Sequence, residues 1–277
     1  MRILITGGEG QLGTELIAQA KAYGTELLAP TLAQMDLTDP AQVEPFWDAF
    51  RPEALINAAA PAYLAGRCRR AGIPLIHIST DYVFDGLKGS PYLEEDPLSP
   101  LGVYGRSKAE GESAVRGALD RHLIIRTSWL YSAHGANFVK TVMRLAAERD
   151  ELRIVDDQLG SPTSAADLAG ALLSIAGRLG AGSELPWGTY HYCGNGVTSW
   201  CGLTRRVLEA LVAQGRMTSF RLTPITTAQY PTPARRPAYS ALSCRRIETT
   251  FGIIRPPWQA SVDKTVFQLL ATFRPSR

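Results

Sequence analysis

Tyr104 and Lys108 stand four residues apart in the run Tyr104-Gly105-Arg106-Ser107-Lys108, a spacing that puts both side chains on one face of a helix. An ammonium beneath a phenol stabilises the ionised form and draws its pKa down from about 10. Such a phenol can give a proton to a developing alkoxide near neutral pH. Upstream, Ser79-Thr80-Asp81 closes an apolar run, and Thr80 offers a hydroxyl that can orient a carbonyl and stabilise its growing negative charge. Together these residues suit reduction of a ketone.

A reduction needs a hydride, and the chain begins with a segment suited to hold its carrier. Directly after the strand-like Arg2–Thr6 comes Gly7-Gly8-Glu9-Gly10-Gln11-Leu12-Gly13, a G-x-x-G-x-x-G loop opening a helix. The first glycine permits a tight turn, the second lets backbone approach a pyrophosphate, and the third allows helix to pack closely on strand. The helix N-terminus then presents unpaired N–H groups to the anion. Ala29-Pro30-Thr31, ending the second strand, carries neither an acid for a ribose 2′-hydroxyl nor an arginine for a 2′-phosphate, so NADPH and NADH both stay open. Asp36 and Leu37 either hold the adenine edge and cover its face, or serve as a turn acid and a core leucine. Asn57-Ala58-Ala59-Ala60 ends the third strand with small side chains that leave room for a cofactor.

The elements that must position these groups alternate. Ile3–Ile5, Glu26–Ala29, Leu55–Asn57, Leu75–Ser79 and Leu123–Thr127 read as strands, with helical patterns over Gln11–Tyr23 and Pro40–Phe50 between them. Asp39-Pro40 supplies an N-cap and a first-turn proline. Alternation of this kind predicts an α/β fold, a Rossmann-type doubly wound parallel sheet, with a smaller mixed α/β substrate-binding lobe. The expected division gives residues 1–128, with a return segment near 165–193, to the dinucleotide half. Residues 129–164 and 194–277 go to the substrate lobe. In that lobe helices are expected near Asn137–Arg149 and after Ser199, a strand near Leu152–Val155, and a proline-studded irregular stretch from Pro224 to Pro237; a helix near Ala165–Leu179 and a strand at Thr189–Cys193 belong to the return segment.

Composition narrows the partners. The 277 residues are 45% hydrophobic and 20% charged, enough for a sizeable core without staples. The formal net charge is +3, and the arginines fall in scattered pairs, so nucleic acid is not an expected partner. The four cysteines show neither metal-ligand nor disulfide spacing, and no apolar stretch reaches membrane-spanning length. Free thiols and cytoplasmic residence follow as expectations.

Several runs share one resemblance: Gly7-x-x-Gly10-Gln11-Leu12-Gly13, Asn57-Ala58-Ala59-Ala60, Ser79-Thr80-Asp81-Tyr82-Val83-Phe84, Val103-Tyr104-Gly105-x-x-Lys108, Arg126-Thr127-Ser128-Trp129-Leu130-Tyr131, Asp157-Gln158-x-Gly160-x-Pro162-Thr163 and Tyr230-Pro231-Thr232-Pro233-Ala234-Arg235-Arg236-Pro237. Nearly end to end, they resemble the dTDP-4-dehydrorhamnose reductases of the extended short-chain dehydrogenase/reductase superfamily. The resemblance implies hydride transfer from NADPH or NADH to C4 of a dTDP-linked 4-keto sugar, dTDP-4-dehydro-β-L-rhamnose. It assigns catalysis to Thr80, Tyr104 and Lys108, with Lys108 also on the nicotinamide ribose. Gly7, Gly10, Gln11 and Leu12 are expected on the pyrophosphate, Asp36 and Leu37 at the adenosine end, and Ala59, Ala60 and Ser79 along the cofactor. Tyr82, Trp129 and Arg235 join Thr80 and Tyr104 around the sugar nucleotide. An aromatic face suits the apolar patch of a deoxysugar.

The chain departs from that pattern once: the family carries a further stretch with a Val-Asp-x-Ala-Glu motif after the alanines, whereas Ala60-Pro61 here runs directly into Ala62-Tyr63. Glu15 matches one position of a glutamate-built magnesium site that joins some members as dimers, but partners for it are not found. No metal is expected, and a homodimer is left open. The loop and the Tyr/Lys pair also occur in nucleotide-sugar epimerases and dehydratases. A regulatory subunit of methionine adenosyltransferase is similar too, but the intact Thr80, Tyr104 and Lys108 argue against it.

Overall fold

The computed structural model describes residues 1–37, 39–57, 61–181, 184–232 and 236–272. Its first half runs β1 (Arg2–Thr6), α1 (Gln11–Gln19), β2 (Glu26–Leu28), α2 (Pro40–Phe50), β3 (Ala54–Asn57), α3 (Pro61–Ala71), β4 (Leu75–Thr80), α4 (Val103–Ala118) and β5 (His122–Thr127). The second half continues with β6 (Leu130–Tyr131), α5 (Phe138–Glu148), β7 (Glu151–Val155), β8 (Leu159–Gly160), β9 (Thr163–Ser164), α6 (Ala165–Gly180) and β10 (Gly188–His191). It ends with β11 (Thr198–Ser199), α7 (Trp200–Ala213), β12 (Arg221–Ile225), α8 (Arg245–Phe251) and α9 (Trp258–Thr272).

Six strands pair in parallel in the order β10-β5-β4-β3-β1-β2. Because successive side chains leave a strand on opposite faces, Ile3 and Ile5 join a cluster with Leu12 and Leu16 of α1 and Leu168 and Leu172 of α6. Leu4 and Leu55 join another, with Val43 and Trp47 of α2 and Val115 of α4. Every residue of β3 and β4 is buried, which is why these strands read as unbroken apolar runs rather than alternating ones. A third cluster, built from Val139 and Val142 of α5, Leu203 and Val207 of α7 and Val262 and Val266 of α9, forms away from the sheet.

The capping signals act as read. Asp39 accepts from the Ala41 N–H at 3.0 Å and Ser199 from Gly202 at 2.9 Å; Asn137, expected as the first residue of its helix, instead caps it, accepting from Lys140 at 3.1 Å. Two local readings change. The helix expected over Gln11–Tyr23 is α-helical to Gln19 and tightens into a 3-10 turn over Ala20–Tyr23. Part of the stretch expected to be irregular is β12, which pairs in parallel with β7, placing Pro224 opposite Ile154. Proline is tolerated there because this strand has a single neighbour and needs no ladder on its other side.

With β2 on one side of β1 and β3 on the other, the chain reverses its direction of progress across the sheet at β1. Such a switch leaves a crevice outside the carboxyl ends of β1 and β3.

Candidate active site

A cleft of about 350 Å³ occupies that crevice, and its walls include Gly7, Gly10, Gln11, Leu12, Ser79, Thr80, Tyr82, Tyr104, Lys108 and Trp129. Ten of the residues singled out in the sequence are therefore brought to one place. Asp36 and Leu37 are not among its walls: Leu37 packs against the cluster of Met35, Val43 and Trp47, and the Asp36 N–H donates to Gln42 Oε1 at 3.1 Å. Ala59, Ala60 and Arg235 lie outside the described residues.

The glycine loop is shaped by contact with its own helix. Gly7 has φ 76°, in the left-handed region that favours glycine, and its carbonyl accepts from Gly10 N–H at 3.0 Å. A Cβ on Gly13 would lie 2.6 Å from Gly8 Cα, so α1 packs backbone to backbone on the loop. Gly10, at the N-cap, has no side chain to satisfy the first-turn N–H groups. This uncapped helix start beside the cleft fits the pyrophosphate of a nicotinamide dinucleotide. Gln11 also reaches across, accepting from Asn137 Nδ2 at 3.1 Å.

Tyr104 and Lys108 come from the first turns of α4. A Cβ on Gly105 would run into the Tyr82 carbonyl, so glycine lets α4 rest directly on the turn that follows β4. That contact brings Tyr104 into the same cleft wall as Thr80 and sets the Tyr82 and Tyr104 rings edge to face, 6.1 Å between centroids. The Lys108 ammonium donates to the Ile78 carbonyl at 2.8 Å. One expectation is reversed: the phenol lies above its ordinary pKa, not below. Desolvation at its hydroxyl end and the Asp81 carboxylate outweigh the lowering pull of Thr80. Lys108 is itself desolvated, and burial lowers its own pKa against the opposing pull of Glu112.

Thr80 is fully engaged. Its Oγ1 donates to Asp81 Oδ1 at 2.9 Å and accepts from the Tyr82 N–H at 3.3 Å. Asp81, 2% exposed, is pushed up to about 7 by burial against the lowering pull of Ser240 and Thr80.

The neighbouring Ser79 lines the cleft, but its hydroxyl donates to Glu112 Oε1 at 2.5 Å. Glu112 is one turn beyond Lys108 on α4 and fully buried. It also accepts from Arg126 Nε and NH2, each at 2.8 Å, and from Arg116 at 2.6 Å. Burial alone would raise its pKa, but Arg126, Ser79 and Arg116 together hold it below the usual carboxylate range.

The opposite wall explains the Asp157-Gln158-x-Gly160-x-Pro162-Thr163 segment. Trp129 sits at φ 46°, a strained position for a bulky residue, with its indole stacked on Trp200 at 3.6 Å and 6° between planes. Gln158 accepts from Trp200 Nε1 at 3.2 Å. The Trp129 carbonyl accepts from Thr163 N–H at 3.2 Å. A Cβ on Gly160 would lie 2.5 Å from the Trp129 ring. Trp200 itself was not anticipated: the Ser199 cap announced a helix, yet nothing local says that the helix's first residue faces a ring 71 positions earlier.

Among the described residues, no group of three or more His, Cys, Asp or Glu side chains is placed to hold a metal. Glu15 lies 3.7 Å from His134 Nε2. No helix among them is long and apolar enough to cross a membrane.

Known proteins share this arrangement. The family described as RmlD substrate binding domain matches residues 1–63 and 54–271, two pieces that meet where the chain departs from the family pattern. A dTDP-4-dehydrorhamnose reductase of Sinorhizobium fredii is 42% identical, covering 98% of each chain over 297 positions, so it carries residues that this chain of 277 lacks. One from Aggregatibacter actinomycetemcomitans is 39% identical over 94% of this chain and 97% of its own. A solved dTDP-4-dehydrorhamnose reductase from Clostridium acetobutylicum superposes with a TM-score of 0.88 at 34% identity, covering 98% of this chain and all of its own. Another, from Bacillus anthracis in complex with NADP, gives 0.85 at 29% identity, covering 96% of this chain and 99% of its own. On its glycine loop, the cleft that Thr80, Tyr104 and Lys108 share with it and these relatives over nearly all of its length, the chain belongs to the dTDP-4-dehydrorhamnose reductase family.

Proposed function

We propose that this protein reduces the C4 keto group of dTDP-4-dehydro-β-L-rhamnose to give dTDP-β-L-rhamnose, using NADPH or NADH. The observation that carries this reading is the meeting of Thr80, Tyr104 and Lys108 in one cleft with the uncapped start of α1. The dinucleotide supplies the hydride; Gly7, Gly10, Gln11 and Leu12 hold its pyrophosphate, and Lys108 its nicotinamide ribose. Ala59, Ala60 and Ser79 lie along it, and Asp36 and Leu37 serve its adenosine end. Tyr104 gives its phenolic proton to the C4 oxygen, and Thr80 assists Tyr104. Tyr82, Trp129 and Arg235 bind the sugar nucleotide.

The division of labour follows the same lines, with residues 1–128 and 165–193 for the dinucleotide and 129–164 and 194–277 for the sugar nucleotide. The four cysteines are free and buried, which suits a reducing cytoplasm. The test is cofactor oxidation with dTDP-4-dehydro-β-L-rhamnose, run separately with NADPH and NADH. One oxidised cofactor per reduced sugar is expected; oxidation of neither overturns the substrate.

The role of Trp129 has its own check. A methyl group at Gly160 must displace the indole, at a cost of about 1–3 kcal/mol. Gly160→Ala is therefore expected to raise KM for the sugar nucleotide roughly tenfold while leaving the cofactor dissociation constant near that of the parent. Equal KM values would remove Trp129 from the sugar pocket.

A further inference from the structure

A reductase that gives up a phenolic proton in every turnover must recover it, and the structure holds a route. A threonine hydroxyl has one proton and two lone pairs. Thr80 gives its proton to Asp81 Oδ1 at 2.9 Å. Tyr104, Thr80 and Asp81 line one cleft, and toward the phenol a hydroxyl so committed can only accept, which sets the order of donors as Tyr104, Thr80, Asp81. Once the phenol has lost its proton, the same contacts favour the reverse order, with Asp81 donating to Thr80 and Thr80 to the phenolate. Asp81 suits that exchange: its Oδ2 is buried without a hydrogen-bond partner among the described residues, and its residue forms part of the cleft wall.

We propose that Asp81 stores the proton that recharges Tyr104, passing it through the Thr80 hydroxyl after each hydride transfer. This rests on the reductase reading above. In the step, the phenolate oxygen gains the Thr80 proton, Thr80 gains the proton of the Asp81 carboxyl, and the carboxylate left behind takes a proton from water. Nothing is oxidised or reduced in it. Asp81 does not touch the reacting atoms; it is a positioning residue for Tyr104.

The surroundings favour such a store. From α4, Tyr104 and Lys108 line the same cleft; Tyr82 adjoins Asp81 in the turn; Arg236 acts on Tyr82; and Ser240 pulls the Asp81 pKa down. Burial outweighs these partners and leaves Asp81 titrating at about 7, close to where a proton store is half loaded at working pH.

The experiment compares wild type with Asp81→Asn, an isosteric change that removes a buried charge and should fold. In stopped flow, Asp81→Asn is expected to complete a first turnover and then slow by about 10²-fold, leaving a burst of one oxidised cofactor per site. Wild-type kcat is expected to fall as pH rises through about 7, and the variant to show no such fall. Equal losses in the first and later turnovers, or no loss, overturn the proposal. Infrared difference spectra provide a second readout independent of substrate. The Thr80 hydrogen bond lowers the Asp81 pKa, so Thr80→Val should move the Asp81 carboxyl midpoint upward; an unmoved midpoint breaks the chain. Should wild type oxidise no cofactor, the substrate reading fails while the infrared titration still decides for or against the chain.

Discussion

Tyr104→Phe is expected to lower kcat by about 10²–10⁴-fold with little change in cofactor affinity. The substitution removes one oxygen and leaves the ring, so the edge-to-face contact with Tyr82 and the seating of α4 on the Asp81–Val83 turn persist. What disappears is the proposed proton donor, and Thr80 on the same cleft wall cannot replace it, because its proton is committed to Asp81. Since the phenol lies above its ordinary pKa, it stays protonated through neutral pH and acts as an acid without needing Lys108 to ionise it. Steady-state turnover and a fluorescence titration with NADPH separate the two quantities. Wild-type turnover in the variant would remove Tyr104 from the chemistry.

The second large effect concerns stability. Glu112→Gln leaves Arg126, 1% exposed, without its carboxylate partner, and breaking a buried pair from one side costs about 3–5 kcal/mol. Urea unfolding at neutral pH should show that loss as a lower midpoint with an unchanged slope. The sign with pH follows from the depressed folded pKa of Glu112. Its contribution is fully present above the ordinary glutamate value of 4.5 and is lost as pH falls through the lower folded value. The gap between variant and wild type should therefore narrow in acid. A constant gap down to the lowest pH at which both fold would assign the loss to packing instead of charge.

Much of the sheet could be read from the chain because its signals are local. Buried strands such as Leu75–Thr80 are continuous apolar runs, and Asp39 and Ser199 announce helices with side chains that cap only two or three residues away. The meeting of Tyr104 and Lys108 in one cleft was legible for the same reason: a four-residue spacing puts both on one face of α4. The electrostatics were not. Whether Lys108 lowers the phenol depends on where Glu112, Asp81 and Ile78 stand, and these meet only after β4, α4 and β5 have packed. Glu112 and Arg126 look in sequence like any surface pair, yet both are buried, because they satisfy each other inside the fold. Pro224 misleads in the opposite direction, since its missing N–H matters only if a second strand must pair on that side. Trp200 faces Trp129 across a loop whose path no periodicity encodes.

The placement of β10 has a consequence for synthesis on the ribosome. Residues Gly188–His191 cap the outer side of β5, so the sheet made from the first 127 residues ends in an open edge until the chain has grown another sixty or so positions and threaded α5 and α6 past it. During that interval the exposed backbone of His122–Thr127, buried in the finished protein apart from its first residue, is a template for unwanted strand pairing. Nascent chains stalled before Gly188 should be the ones that chaperones hold.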